Sequence, residues 1–277
     1  MNTIQGTSAT VIAVTSGKGG VGKTNVAINV GVALARLGYR TGVLDADLSL
    51  GNVDVLLGLS GEYHLGHVLA GQRSLREVAL TGPQGLQVYP ASSGMQALSG
   101  LTAAQERALA AAIRDIRPSL DFLLLDTAPG ISEGVFQAIA LADQVMLVAS
   151  MEPAGLVDAY ATVKVLTARS ATKEIGVVVN GVVDANDAQL AYKQLDTASD
   201  RFLKRSLRYL GYVSRDPLVQ DAILVQRPIV DHNPQAPASR CFRVLASRVA
   251  GLAPGNGQGS HIGARRQFGS GEMPQCA

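Results

Sequence analysis

Residues 17–24 read GKGGVGKT, directly after the apolar run Val11–Thr15 and directly before the helical pattern that continues to Leu37. Gly17, Gly22, Lys23 and Thr24 satisfy the spacing G-x-x-x-x-G-K-[ST]. Glycines let successive backbone N–H groups turn inward around an anion, and a helix N-terminus adds a favourable dipole. Strand, glycine loop and helix in that order predict a phosphate cradle at the carboxyl end of a strand. Within such a cradle Lys23 bridges the β- and γ-phosphates of a nucleotide, and the Thr24 hydroxyl ligates Mg²⁺. Gly19, Gly20, Val21 and Asn25 complete the backbone around the phosphates.

The remaining pattern fits that frame. Val11–Thr15, Thr41–Leu44, Leu86–Tyr89, Phe122–Leu125, Val145–Ala149, Ile175–Val179 and Tyr209–Val213 read as strands. Lys23–Leu37, Thr102–Ile116, Glu133–Leu141, Leu156–Ala168 and Asp187–Leu203 carry helical spacing between them. Such alternation predicts an α/β fold, a mostly parallel sheet flanked by helices on both faces. The core must then be built from small aliphatic residues, because aromatics are only 4% of the chain and Trp is absent. Gly51–Leu80 is less regular, with short helices expected at Asn52–Leu57 and Leu65–Ala70. Residues 1–9 read as an extension and 10–252 as one domain. Residues 253–277, rich in Gly, Ser and Gln, read as a disordered tail.

Composition excludes several classes. With 24 basic and 22 acidic residues the net charge is +2, which argues against direct DNA binding. The cluster Arg201, Lys204, Arg205 and Arg208 reads as a solvated helix end. Cys241 and Cys276 lack the spacing of a disulfide framework or a metal site. No basic segment precedes the first apolar run and no run is long enough to span a bilayer, so a cytoplasmic protein is expected.

Acidic groups end two of the strands. Leu44-Asp45-Ala46-Asp47 puts two carboxylates beside the phosphate loop, where Mg²⁺ and an attacking water must sit. Asp45 is expected to support the metal side, and Asp47 either to orient water or to cap a helix. Phe122-Leu-Leu-Leu-Asp126 is an apolar strand closing on an aspartate, a Walker B pattern in which Asp126 holds Mg²⁺ through a water. Asn180 ends another strand. It is either an adenine-contacting amide, which can donate and accept together, or a turn residue before Gly181. No N-K-x-D occurs, which disfavours guanine.

Lys18 adds a second cation to the loop, and K-G-G-x-x-x-K-T resembles the deviant Walker A motif of the MinD/ParA ATPases at every position. The resemblance extends over about residues 10–251 and implies a P-loop NTPase fold, ATP hydrolysis and an ATP-dependent homodimer. In that family the first lysine reaches the partner's phosphates, a role that falls on Lys18. The resemblance further implies that Asp47 orients the water, that the Gly130 amide senses the γ-phosphate, and that Asn180 faces Arg215, Asp216 and Pro217 across the base pocket. DADLSLGNVDVLLGL, LREVALTGPQGLQVYPASSG and DTAPGIS are most similar to the flagellar number regulators of the FleN/FlhG type. Those relatives act on a sigma-54-type flagellar activator and alongside a signal-recognition-type GTPase, some of them at the inner face of the membrane or the cell pole. Two features common there are absent. The tail after Pro254 has no amphipathic stripe for a membrane, and residues 1–10 lack D-Q-A-x-x-L-R. Partitioning and division-site ATPases, and an ATP-sensing scaffold without turnover, are the rival readings.

Overall fold

The computed structural model describes residues 8–91, 100–169 and 172–251. The chain alternates strand and helix from its first described element. β1 (Thr10–Thr15), α1 (Lys23–Arg36) and β2 (Thr41–Ala46) are followed by the short helices α2 (Val53–Leu56), α3 (Leu65–Leu69) and α4 (Leu75–Val78). Then come β3 (Leu80–Thr81), β4 (Gln87–Tyr89), α5 (Ala103–Ile116), β5 (Phe122–Thr127), α6 (Glu133–Ala140), β6 (Gln144–Ser150) and α7 (Pro153–Arg169). β7 (Ile175–Val182), α8 (Ala185–Leu203), β8 (Arg208–Ser214), α9 (Pro217–Leu224), α10 (Ile229–His232) and α11 (Pro237–Ala250) complete it.

The eight strands form one sheet in the order β3-β4-β2-β5-β1-β6-β7-β8. Every pairing is parallel except β3 with β4. β1 lies between β5 and β6, so the loop leaving it opens at the point where successive connections diverge to either side. In open α/β sheets that crevice is where ligands sit.

Alternation along the central strands feeds two cores, one on each face. Val11, Ala13, Leu123, Leu125, Val145 and Leu147 pack against α5, α6, α7 and α8. Ile12, Val14, Phe122, Leu124, Met146 and Val148 pack against α1, α10 and α11. Capping sets the helix starts. Thr102 and Gln105 form a reciprocal capping box on α5, and Asp184 accepts the amides of Asn186 and Asp187 at α8. Gly38, at φ 92°, supplies the left-handed residue that stops α1.

All seven expected strands are present. β3, two residues long and antiparallel, carries no legible period and follows from its pairing with β4. The region after β8 is more helical than its pattern suggested. α11 is a fourteen-residue helix whose Ala238, Cys241, Phe242, Leu245 and Val249 are buried. The i, i+3, i+4, i+7 signal is present but interrupted by three arginines on the same helix, of which Arg243 and Arg248 donate to the Pro234 and Leu210 carbonyls. Leu245 is fully buried over β8 and α1. Leu245→Ala should lower unfolding free energy by about 2–5 kcal/mol in a urea titration. A loss under about 1 kcal/mol would mean that α11 is not part of this core.

Candidate functional site

The loop between β1 and α1 curls as its glycines require. Gly20 and Gly22 adopt φ 79° and 85°, a region that L side chains rarely enter. Gly22 is also the N-cap of α1, and a Cβ on it would lie 2.3 Å from Asn180 Nδ2. A Cβ on Gly17 would meet the Asp158 backbone of α7 at 2.3 Å. The first and last glycines of the motif thus permit close packing as well as curvature, and Gly19 and Val21 lie between them. Asn180 Nδ2 donates to the Val21 carbonyl at 2.7 Å, fastening the loop to the end of β7.

Lys23 opens α1 and is buried, with its ammonium 2.6 Å from Asp126 Oδ1 at the end of β5. Thr24 Oγ1 lies 3.4 Å from the same ammonium. Burial pushes the Asp126 carboxyl above the usual carboxylate range, and Lys23 and Thr24 oppose that rise. Asp45, fully buried on the neighbouring strand and in register with Asp126, is pushed up to about 7 by burial and by the Asp126 charge. A carboxylate of raised pKa destabilises the fold as pH climbs from its unfolded value near 4 to about 7, so this group favours the folded state at lower pH.

Asp45, expected to support the metal side, accepts the Asp47 amide on Oδ1 at 3.1 Å and the Val53 amide on Oδ2 at 3.1 Å. Both oxygens thus help to shape the loop after β2. Asp47 is half-exposed, and its Oδ1 accepts from the Ser49 amide and hydroxyl and from the Leu50 amide. It caps a turn here, as its alternative reading allowed, though at a loop rather than a helix. The Gly130 amide, expected to face a γ-phosphate, donates to the Ser16 carbonyl at 2.8 Å, which ties the loop after β5 to the cradle. Gly130 itself sits at φ 88°.

Beside the cradle a cleft of about 680 Å³ is lined by Gly20, Gly22, Asn25, Asn180, Arg215 and Asp216, among others. Asn180 and Arg215 thus face one space, as expected. Asp216 lines it but commits its carboxylate to the Leu218 amide at the start of α9 and the Ala238 amide in α11. Pro217 is the first residue of α9 and does not line the cleft. Two lining residues had escaped the sequence reading. Glu152 accepts from Lys18 Nζ at 2.7 Å, holding that lysine at the mouth of the cleft. Ser150 has a buried hydroxyl with no hydrogen-bond partner among the described residues. Their one sequence signal was position, at the carboxyl end of β6.

These residues fit a Mg-nucleotide. A cradle whose Gly17 and Gly22 leave no room for a Cβ, a helix N-terminus and a buried lysine match a phosphate chain. Among the described residues no cluster of three or more His, Cys, Asp or Glu could hold a metal.

A family model described as "ParA: NUBPL iron-transfer P-loop NTPase" matches residues 7–250. The chain belongs to the ParA-type P-loop NTPases. Within the family it is 41% identical to the antiactivator FleN of Pseudomonas aeruginosa, over 86% of this chain and 85% of that protein. It is 31% identical to the flagellum site-determining protein YlxH of Helicobacter pylori, over 76% and 71%. The MinD of Pyrococcus horikoshii, solved with Mg-ADP, superposes with a TM-score of 0.76 at 25% identity, covering 89% of this chain and 98% of that one. The iron-transfer part of the family description finds no cysteine pair here: Cys241 is buried in α11, and Cys276 lies outside the described residues.

The buried ion pair makes a prediction separate from ligand affinity. Lys23→Ala strands the Asp126 carboxylate in the interior and should cost about 3–5 kcal/mol of stability without nucleotide. Adding Asp126→Asn to that variant should recover most of the loss in a denaturant titration. Additive losses would show that the two groups are not coupled.

Proposed function

We propose that the chain binds and slowly hydrolyses Mg-ATP, dimerises while ATP is bound, and in that form restrains a flagellar transcriptional activator. The observation that carries the reading is the pair of lysines in one loop with different surroundings. Lys23 is sunk against Asp126, whereas Lys18 is held outward on Glu152 at the cleft mouth. A single triphosphate has use for the first; the second is placed to serve a neighbour. The Lys18–Glu152 pair is solvent-exposed and therefore weak, so a desolvated set of phosphates on a partner would outcompete it.

In this mechanism Lys23 and the loop amides bind the phosphate chain, while Asn180 and Arg215 flank the base. Thr24 and Asp126 hold Mg²⁺, which supplies charge neutralisation to the phosphoryl oxygens. Asp45 keeps the Asp47 loop in position, and Asp47 orients the attacking water. Gly130 reports hydrolysis by exchanging its bond to Ser16. Lys18 of each subunit completes the other's site, as an arginine finger would.

Exposed apolar residues at the same end of the sheet support a contact there with the second subunit or the partner. Leu50, Ile131, Met151, Val157 and Val183 are exposed apolar residues, all in or just after the loops that leave β2, β5, β6 and β7. Apolar residues gathered at one end of a molecule mark contacts. Similarity to an antiactivator and to a flagellum site-determining protein supports an activator partner and a flagellar role; that the activator is of the sigma-54 type, with a signal-recognition-type GTPase alongside, rests on the sequence resemblance alone. Among the described residues no helix is long and apolar enough to cross a membrane. We place the protein in the cytoplasm, with recruitment to the pole through partners.

Lys18→Ala should retain ATP binding by calorimetry yet stay monomeric with ATP in the ultracentrifuge. An ATP-driven dimer persisting in that variant removes the trans-lysine role. Asp47→Ala should trap the ATP dimer and, in the host, reduce flagella per cell, while deletion of the gene should increase them. A septation or segregation defect instead would favour a division-site or partition ATPase.

A further inference from the structure

A second crevice, of about 380 Å³, opens at the opposite end of the strands. Thr41 and Gln87, the first residues of β2 and β4, line it, together with Arg76 of α4, Arg40, Ser119 and Tyr89. The nucleotide cleft lies beyond the last residues of the parallel strands, so the two openings are independent. Gln87 and Tyr89 project from the same face of β4, and Gly42 on β2 makes room for the tyrosine. A Cβ on Gly42 would lie 3.0 Å from Tyr89 Cε2.

The polar groups in this crevice are not equally committed. Arg40 is consumed by Asp121 and by the Pro118 and Leu120 carbonyls. Ser119 donates to the Ile116 carbonyl and Gln87 to the Gly85 carbonyl. Tyr89 is different. The residue is 3% exposed and lines the crevice, and its hydroxyl has no hydrogen-bond partner among the described residues. Burial also pushes its pKa up to about 12, so the group remains a donor across the physiological range. Arg76 points Nε and Nη2 at Asp115, which leaves Nη1 without a partner. The Arg76–Asp115 pair is more than half exposed on both sides and yields readily to a competing anion.

We propose that this crevice is a second ligand site, for a small molecule bearing a phosphate or carboxylate group, with Arg76 and the Tyr89 hydroxyl as the recognising donors. The crevice lining carries two arginines and no carboxylate, so its complement is an anion, which the Arg76 guanidinium and the Tyr89 hydroxyl can meet as donors. The volume is that of a small-molecule pocket rather than of a single ion. β2 runs from this crevice to Asp45, which links an occupant mechanically to the loop that carries Asp47.

The test uses the full chain labelled with 3-fluorotyrosine and saturated with Mg-ADP, so that added anions do not report on the phosphate cradle. Seven tyrosines give few enough fluorine resonances to resolve, and the one lost in Tyr89→Phe identifies the probe. Pyrophosphate and citrate are titrated separately, against sodium chloride at matched ionic strength. A saturable shift of the Tyr89 resonance with pyrophosphate or with citrate is expected, and tells which anion class fits. Arg76→Gln, checked for folding by circular dichroism, should weaken that titration about ten-fold or more. A resonance that follows ionic strength alone, or a titration unchanged in Arg76→Gln, overturns the proposal.

Discussion

The ion pair between Lys23 and Asp126 is the contact on which the site is assembled. One partner opens α1 and the other closes β5, so the pair joins the phosphate loop to the adjacent strand across 2.6 Å of interior. Neither charge could remain there alone, since an unpaired buried ion costs several kcal/mol. The geometry of the loop therefore comes with a requirement about a residue 103 positions further along the chain. In the same layer Asp45 lies in register with Asp126, and burial together with the Asp126 charge raises the proton affinity of Asp45.

Around that pair the structure divides its labour. Groups tied to backbone set shape: buried Asp45 holds the loop after β2, Asn180 holds Val21, and Gly130 is tied to Ser16. Exposed groups are left able to change partner, Lys18 on Glu152 foremost. A switch needs such a division, because a nucleotide moves only elements whose present contacts are weak compared with those it offers. The loops after β2 and β5 meet that condition. The first is held through the Asp45 and Asp47 carboxylates and the second by the Gly130 bond to Ser16, and each presents an exposed apolar residue, Leu50 or Ile131.

Much of this was legible from the residues. Strands buried on both faces are continuous apolar runs, so the seven of them stood out, and helices with one apolar stripe stood out between them. The phosphate loop was legible because its chemistry tolerates few substitutions at Gly17, Gly22, Lys23 and Thr24. What the residues alone left open had a common cause. Asp45 was assigned by its position at a strand end and Asp216 and Gly130 by resemblance, and the fold adds backbone partners to each. Glu152 was missed for the complementary reason: a lone glutamate after an apolar strand has no local pattern, and only the neighbouring loop makes it a partner of Lys18.

The amino-acid order by itself determined the layered α/β frame, the phosphate cradle and the presence of two lysines in it. Those follow from local periodicity and from the backbone freedom of glycine, neither of which needs a distant residue. Tertiary structure decided which polar atoms remain available. A carboxylate can shape a loop or receive a ligand, and a phenol can rest satisfied or wait for an acceptor. Which of these occurs depends on amides and guanidinium groups brought alongside from elsewhere in the chain. That is why Asp45 turned out a scaffold, Lys18 an outward cation, and Tyr89 an uncommitted donor at the far end of the sheet.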